Sequence, residues 1–91
     1  MRPRVDDNHA EIVAALREID GVTVHSTAVV GDGFPDICVG YRNRTFIFEI
    51  KDPEKPPSER KLTPKQVIFH GGWRGQVHVI ETVREIINVI Q

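Results

Sequence analysis

The sequence predicts an α/β protein whose elements follow the order helix, three strands, helix, strand, helix. Apolar residues recur with helical spacing in three segments, and short apolar runs bounded by Gly, Pro and Asn residues lie between them. A chain of 91 residues has room for one sheet and two or three helices. We therefore expect residues 1–91 to form a single domain.

The first helix is expected over residues 8–20, with Gly21 as its stop. Its apolar stripe consists of Ile12, Val13, Leu16 and Ile19. Asn8 and Glu11 have the spacing of a capping box, in which two side chains bind the backbone N–H groups at a helix start.

Three strands follow in succession. The first is expected over residues 22–30, and the glycine and proline content of residues 31–35 predicts a turn. The second is expected over residues 36–40, and a hairpin turn at 41–44 leads to the third strand at 45–51. The third strand has one apolar face, formed by Phe46, Phe48 and Ile50.

The second half of the chain begins with residues 52–61, which are too polar and proline-rich for the core and are expected to be mobile. Thr63-Pro64-Lys65-Gln66 then opens a helix, with Thr as the N-cap and Gln at the third helical position. Gly71 and Gly72 end this helix, and a strand follows at 76–80. Thr82 and Glu85 cap a last helix with an apolar face of Val83, Ile86, Ile87 and Ile90.

Composition excludes several classes of protein. Cys38 is the only cysteine and lies in an apolar run, so no disulfide forms within the chain and a reducing compartment is expected. Residues 1–7 lack the apolar segment of a signal peptide, and no stretch reaches membrane-spanning length. We therefore expect an intracellular protein without a membrane partner.

Charge is distributed unevenly, although the net charge is only −1. Between residues 42 and 74, eight basic residues against four acidic ones leave a local charge of +4. Such a stripe binds phosphate locally without strong long-range steering, but an ordinary solvated surface explains it equally well. The candidate DNA contacts in this stripe are Arg42, Arg44, Lys55, Arg60, Lys61, Lys65 and Arg74.

Two carboxylates and a lysine come together on the predicted hairpin. Alternation puts Glu49 and Lys51 on one face of the third strand, about 6–7 Å apart. Asp36 begins the neighbouring strand, so its carboxylate can lie beside Glu49. Carboxylates this close repel each other unless a cation lies between them, and Mg²⁺ prefers such oxygen ligands. The backbone carbonyl of Ile50 is a further oxygen ligand if the strand edge is open.

Simpler structural explanations exist for these residues. Glu49 and Lys51 can form an exposed ion pair. Asp36 would then be a turn residue, but the Gly33-Phe34-Pro35 turn before it favours the metal site. Glu11 is either a third metal ligand or only a helix cap.

Gln66 and Trp73 are also open to two interpretations. Gln66 either caps its helix or hydrogen-bonds a water, a phosphate or the Lys51 ammonium. Trp73 stands beside Arg74 in a glycine-rich loop, where it stacks on an unpaired base or covers the end of the core. The four histidines share no spacing and indicate no site.

Taken in order, these residues resemble the PD-(D/E)XK nuclease superfamily, and most closely its VRR-NUC family of small phage-borne and Fanconi-associated nucleases. The similarity spans most of the chain and consists of Glu11, Gly33-Phe34-Pro35-Asp36, Glu49-Ile50-Lys51 and Leu62-Thr63-Pro64-Lys65-Gln66. These motifs are specific for the family when they occur together, and none of them is specific alone. The resemblance implies a restriction-endonuclease-like core, in which helices flank a mixed four-stranded sheet.

The resemblance also implies a set of metal ligands and the roles of two further side chains. The ligands of Mg²⁺ or Mn²⁺ would be Glu11, Asp36, Glu49 and the Ile50 carbonyl. Lys51 would be the catalytic lysine, and Gln66 its partner on the following helix. Stand-alone members act as homodimers on four-way DNA junctions, whereas fused members prefer flaps. We therefore expect a homodimeric, metal-dependent endonuclease for branched DNA that is phage-encoded and acts in the cytoplasm of the host.

Two other functions stay open. A catalytically silent module would bind DNA structures without cutting them, although every acid and the lysine are present. A restriction-type or flap endonuclease would use the same core, but the short chain leaves little for a sequence-recognition element. The apolar residues that supply either a dimer interface or ordinary core packing are Ile86, Ile87, Val89 and Ile90.

Overall fold

A computed structural model of the chain describes residues 8–91 and has α-helices flanking a four-stranded sheet. The helices are α1 His9–Arg17, α2 Pro64–Gly72 and α3 Val83–Ile90, and none is long and apolar enough to cross a bilayer. The strands are β1 Val22–Ser26, β2 Ile37–Tyr41, β3 Arg44–Ile50 and β4 His78–Ile80. The predicted α/β class and element order are confirmed. The expectation about residues 1–7 lies outside the described part of the chain.

The sheet is mixed, and its strands lie side by side in chain order. β2 pairs antiparallel with β1 and β3, whereas β4 joins β3 in parallel through the crossover helix α2. A two-residue turn joins β2 to β3, with Arg42 and Asn43 at φ of 50° and 65°. This turn sets the register of Ile37 opposite Phe48, so the start of β2 lies beside the end of β3.

The main core lies between one face of the sheet and the helices α1 and α3. The predicted apolar faces are confirmed by the buried residues Ile12, Val13, Leu16, Phe46, Phe48, Ile50, Ile86 and Ile90. Ile86 and Ile90 are almost completely buried within one chain, so they are core residues and are not available to a dimer interface. α2 lies on the other face of the sheet and buries none of its own residues completely.

Three elements are shorter than expected. α1 ends at Arg17 rather than at residue 20, and the chain then turns through Gly21 at φ of 80°. β1 ends at Ser26 rather than at residue 30, because a hydrogen-bonded turn spans residues 27–30. β4 starts at His78 rather than at residue 76.

The proline-rich segment between β3 and α2 has defined turns, including a short 3-10 helix at Pro57–Glu59. Most of it lies outside the core, as expected, but Asp52 is buried and its Oδ1 accepts the Glu54 N–H at 2.9 Å. Arg60 pairs with Glu81 at 3.5 Å and so connects the segment to the end of β4. These contacts hold the segment beside the end of β3.

Candidate active site

A cleft of about 530 Å³ opens where β2 begins and β3 ends, beside the first turn of α2. The four residues predicted to be catalytic all line this cleft: Asp36, Glu49, Lys51 and Gln66. The segment between β3 and α2 and the N-cap of α2 contribute Lys55, Ser58, Glu59, Lys61, Leu62 and Thr63. Of this second group, the two lysines were expected to contact DNA, and Leu62 and Thr63 belong to the motif that opens α2. Ser58 and Glu59 were not predicted to lie near a site.

Asp36 continues the hydrogen bonding of the β2–β3 hairpin with its side chain. Its N–H donates to the Phe48 carbonyl at 2.9 Å, and its Oδ2 accepts the Ile50 N–H at 2.8 Å. β2 begins only after Asp36, so the carboxylate acts as the next acceptor of the strand ladder. This bond fixes the half-buried carboxylate beside the end of β3.

Glu49 and Lys51 project from the same side of β3, and only 2% and 6% of their surfaces are exposed. Gln66 contacts both of them. Its Oε1 accepts from Lys51 Nζ at 2.8 Å, and its Nε2 donates to Glu49 Oε2 at 3.0 Å. An exposed ion pair, the simpler interpretation, is therefore wrong. Glu and Lys side chains are rarely buried unless a partner compensates for the lost hydration, and Gln66 is such a partner for both.

Gln66 also closes the capping box of α2, which confirms that prediction. Thr63 Oγ1 accepts the Gln66 N–H at 3.3 Å, and Gln66 Oε1 accepts the Thr63 N–H at 2.9 Å. An amide oxygen has two lone pairs, so it can accept from Thr63 and Lys51 together. The cap and the contact with the lysine, considered above as alternatives, are present at the same time.

The Ile50 carbonyl is directed toward the Asp36 side of β3. Ile50 lies opposite Ile80 in the parallel pairing, and the Lys51 N–H donates to the Ile80 carbonyl at 2.8 Å. The N–H and C=O of Ile50 consequently face away from β4, where the N–H meets Asp36. Within residues 8–91, no three acidic, histidine or cysteine side chains are grouped to hold a metal ion by themselves. A cation here would need backbone, water or substrate oxygens as well.

Gly33 places α2 against the loop that carries Asp36. Its φ is 81°, and a Cβ at this position would lie 2.3 Å from the Lys65 carbonyl oxygen and 2.9 Å from the Gln66 nitrogen. Only glycine allows the two backbones to approach this closely. The sequence predicted a turn at Gly33 but gave no sign of its contact with the helix that carries Gln66.

Asn8 does not form the predicted capping box with Glu11. It is the N-cap residue of α1, but its side chain accepts no bond from the helix start. Its Nδ2 instead donates to the carbonyls of Lys51 and Glu81, at 3.2 and 3.3 Å. The side chain therefore ties α1 to the ends of β3 and β4. Glu11 is exposed in the first turn of α1 and does not line the cleft.

The structure does not gather all the basic residues that were expected to contact DNA. Lys55 and Lys61 line the cleft. Arg42 and Arg44 lie at the opposite end of the hairpin, about 20 Å from Ile50 along β3. Their guanidinium groups lie over the rings of Tyr41 and Phe46, at 5.0 and 5.1 Å from the centroids.

The other predicted DNA contacts lie on or beside α2. Arg60 pairs with Glu81, as described above, and Lys65 lies 3.8 Å from Asp32 with most of its side chain exposed. Trp73 and Arg74 follow the last turn of α2 and are exposed.

His70 is a residue near the site that sequence reasoning missed. It lies four residues after Gln66 and so on the same face of α2. Burial lowers its pKa from the usual 6.5, and the positive charge of Lys51 lowers it further. The spacing of four residues from Gln66 was the available sequence signal.

Comparison with models of known protein families, with curated proteins and with solved structures found no match. The geometry of the site and the motifs of the sequence are therefore the basis for the function proposed below.

Proposed function

We propose that the chain is a metal-dependent endonuclease that hydrolyses phosphodiester bonds in branched DNA, with four-way junctions as its main substrate. The observation that carries this proposal is the amide of Gln66, which holds Lys51 and Glu49 in the cleft that Asp36 also lines. The motifs and their order further support a restriction-endonuclease-like core of the VRR-NUC type.

Asp36, Glu49 and the Ile50 carbonyl would hold Mg²⁺ or Mn²⁺, whereas Glu11, the remaining ligand that the resemblance implies, does not line the cleft. Support comes from the donor set, since carboxylate and carbonyl oxygens are the ligands that these cations prefer. A bound cation would acidify a water and neutralise charge on the scissile phosphate.

The proposed role of Lys51 follows from side chains of the protein and not from a bound metal ion. Its ammonium has three N–H donors, and Gln66 Oε1 accepts one of them in a fixed direction. The other donors can orient the attacking water or bind a phosphate oxygen. A positive charge held in place before the reaction stabilises the negative charge that develops in the transition state.

Lys55 and Lys61 would bind the phosphates that flank the scissile bond. Phosphate contacts position DNA without reading its sequence, so sequence preference should be weak. A homodimer would present two clefts to a junction with two-fold symmetry. Its interface would lie outside Ile86 and Ile90, because the core occupies both side chains.

The test is cleavage of labelled four-way junction, flap and blunt duplex DNA, each with Mg²⁺, Mn²⁺ or EDTA. We expect junction products with either metal and none with EDTA. Asp36→Asn and Glu49→Gln should lower the rate by at least about 100-fold, the loss typical of groups that stabilise the transition state. Asp20→Asn is the control, because Asp20 is an exposed acid outside the cleft.

Other outcomes would contradict the proposal and identify its alternatives. Cleavage in EDTA, or cleavage that both variants retain, would exclude this site as a metal-dependent catalyst. Junction binding without product under any metal would identify a silent binding module. Discrete, reproducible bands from plasmid DNA would indicate a restriction-type enzyme, and preferred cutting of flaps would indicate a flap endonuclease.

A further inference from the structure

Three aromatic side chains form a cluster outside the main core. Phe69 stacks on Trp73 with ring centroids 5.0 Å apart and planes inclined by 24°. Phe34 meets Phe69 and Trp73 edge-on, at 5.2 and 6.3 Å. The main core includes none of the three. Trp73 therefore does not cover the end of that core, which was the simpler of its two interpretations.

The Trp73 ring is exposed but held in one orientation. Its Nε1–H donates to the Gln76 carbonyl at 3.2 Å, while Phe69 covers part of the ring. Gly75 lies so close that a Cβ there would be 2.9 Å from Nε1. Even so, 41% of the Trp73 surface is exposed. An aromatic surface that is already oriented loses little conformational entropy when a flat ligand stacks on it.

The aromatic cluster is connected to the candidate active site at two points. Phe34 belongs to the loop that leads into Asp36, and Trp73 follows the helix whose first turn carries Gln66. The seven residues from Gln66 to Trp73 correspond to about 10 Å of helix, the length of roughly three base steps of DNA. A ligand in the cleft is therefore within reach of Trp73.

Charge around Trp73 favours a nucleic acid over an apolar partner. Residues 60–80 include no acidic residue. Of the basic residues in this stretch, Arg60 and Lys65 pair with acids from other segments, which leaves Lys61 in the cleft and Arg74 beside Trp73. Arg74 is exposed directly beside Trp73. An exposed aromatic ring beside a cation is the arrangement that binds unpaired nucleotides, because a base stacks on the ring and a phosphate binds the cation.

We propose that Trp73 stacks on an unpaired base of the DNA substrate, while Arg74 binds a neighbouring phosphate. This inference rests on the proposed function, since it requires DNA as the ligand. It adds a base contact to that function: a base that is unpaired at the branch point, within a few nucleotides of the scissile phosphate.

The test measures binding in EDTA, where no cleavage interferes. The probes are a duplex with a three-nucleotide flap, the same flap built from abasic nucleotides, and a blunt duplex. Trp73 is the only tryptophan of the chain, so its fluorescence reports on stacking directly. We expect the normal flap to quench this fluorescence and the other two probes to leave it almost unchanged.

Variants make the test independent of fluorescence. Trp73→Leu should weaken binding of the normal flap by roughly 5- to 150-fold, the range for loss of one stacked base. It should leave binding of the abasic flap and the blunt duplex unchanged, and Trp73→Phe should retain most of the affinity for the normal flap. Thermal unfolding of each variant separates loss of contact from loss of fold.

Failure of the stacking proposal can be distinguished from failure of the nuclease proposal. If the protein binds all three probes equally, with or without Trp73, base stacking is excluded and the nuclease proposal stands. If it binds none of them, the stacking proposal fails, and the nuclease proposal then depends on the junction cleavage test above. A change in Trp73 fluorescence with protein concentration alone would assign this surface to a second copy of the chain and would overturn the stacking proposal.

Discussion

Gln66 is the residue on which the geometry of the site depends most. Four hydrogen bonds involve its side chain or its N–H, with Thr63, Lys51 and Glu49 as partners. The amide orientation is unambiguous, because the oxygen meets two donors and the nitrogen meets a carboxylate. One side chain thus links the start of α2 to both charged residues of β3.

Replacing Gln66 should affect stability and activity together. Gln66→Ala leaves two buried charged groups without this partner, and we expect a loss of about 1–3 kcal/mol in the free energy of unfolding. Nuclease activity should fall as well, because the Lys51 ammonium loses its fixed direction. Urea unfolding and junction cleavage measure the two effects. Val67→Ala, an exposed change on the same helix, is the control and should stay within about 0.5 kcal/mol. Equal effects of the two changes would contradict this role.

His70 gives a prediction about pH. Burial and, to a smaller extent, Lys51 lower its pKa in the folded protein below the ordinary 6.5. Between the folded and unfolded pKa values the unfolded chain binds more protons, so stability must fall as the pH is lowered through this interval. The contribution of His70 is complete above pH 6.5. We expect an NMR titration midpoint below 6.5, and a weaker pH dependence of stability in His70→Gln than in the natural chain. A midpoint above 6.5 would contradict the burial.

At the scale of elements, the loop before β2 and the helix α2 are fitted to each other at Gly33. Gly31 and Gly33 have nearly the same φ, 79° and 81°, but differ in their surroundings. A Cβ at Gly31 would meet nothing within 4 Å, whereas a Cβ at Gly33 would collide with the Lys65 carbonyl. Replacing each of these two glycines by alanine therefore separates the cost of the left-handed backbone conformation from the cost of a collision with α2.

We expect Gly31→Ala to cost about 1–2 kcal/mol, from the left-handed conformation alone. Gly33→Ala has this cost and must also displace α2, so its destabilisation should be clearly larger. It should also lower cleavage activity, because Gln66 moves with the helix, whereas Gly31→Ala should leave activity nearly unchanged. Urea unfolding and junction cleavage test both variants. If both changes have the same effect, the close contact between loop and helix is not required.

Elements governed by local signals could be predicted from the sequence. The capping box at Thr63 and Gln66 and the apolar face of β3 involve residues close in the chain, and both are confirmed. Asn8 was misassigned because its partners, the carbonyls of Lys51 and Glu81, are distant in sequence. The contact of Gly33 with α2 was missed for the same reason.

At the scale of the whole molecule, the cleft residues come together because β2 and β3 pair antiparallel and α2 crosses back over β3. Asp36, Glu49 and Lys51 could be grouped from the sequence because a hairpin brings the start of one strand beside the end of the next. Distance along the sequence alone does not show that Arg42 lies far from these three residues in space. The length of β3 places it about 20 Å away, at the other end of the sheet.

This separation gives a prediction about the path of DNA. Each phosphate neutralised by a cation contributes about 0.9 to the slope of log affinity against log salt concentration for duplex DNA. Lys61 lines the cleft, so Lys61→Gln should lower the slope by about this amount. Arg42→Gln removes the same charge at the hairpin turn and should leave the slope unchanged. Salt titrations of junction binding in EDTA make the comparison. A reduced slope for Arg42→Gln with none for Lys61→Gln would mean that DNA crosses the turn end of the sheet and that the cleft is not its binding site.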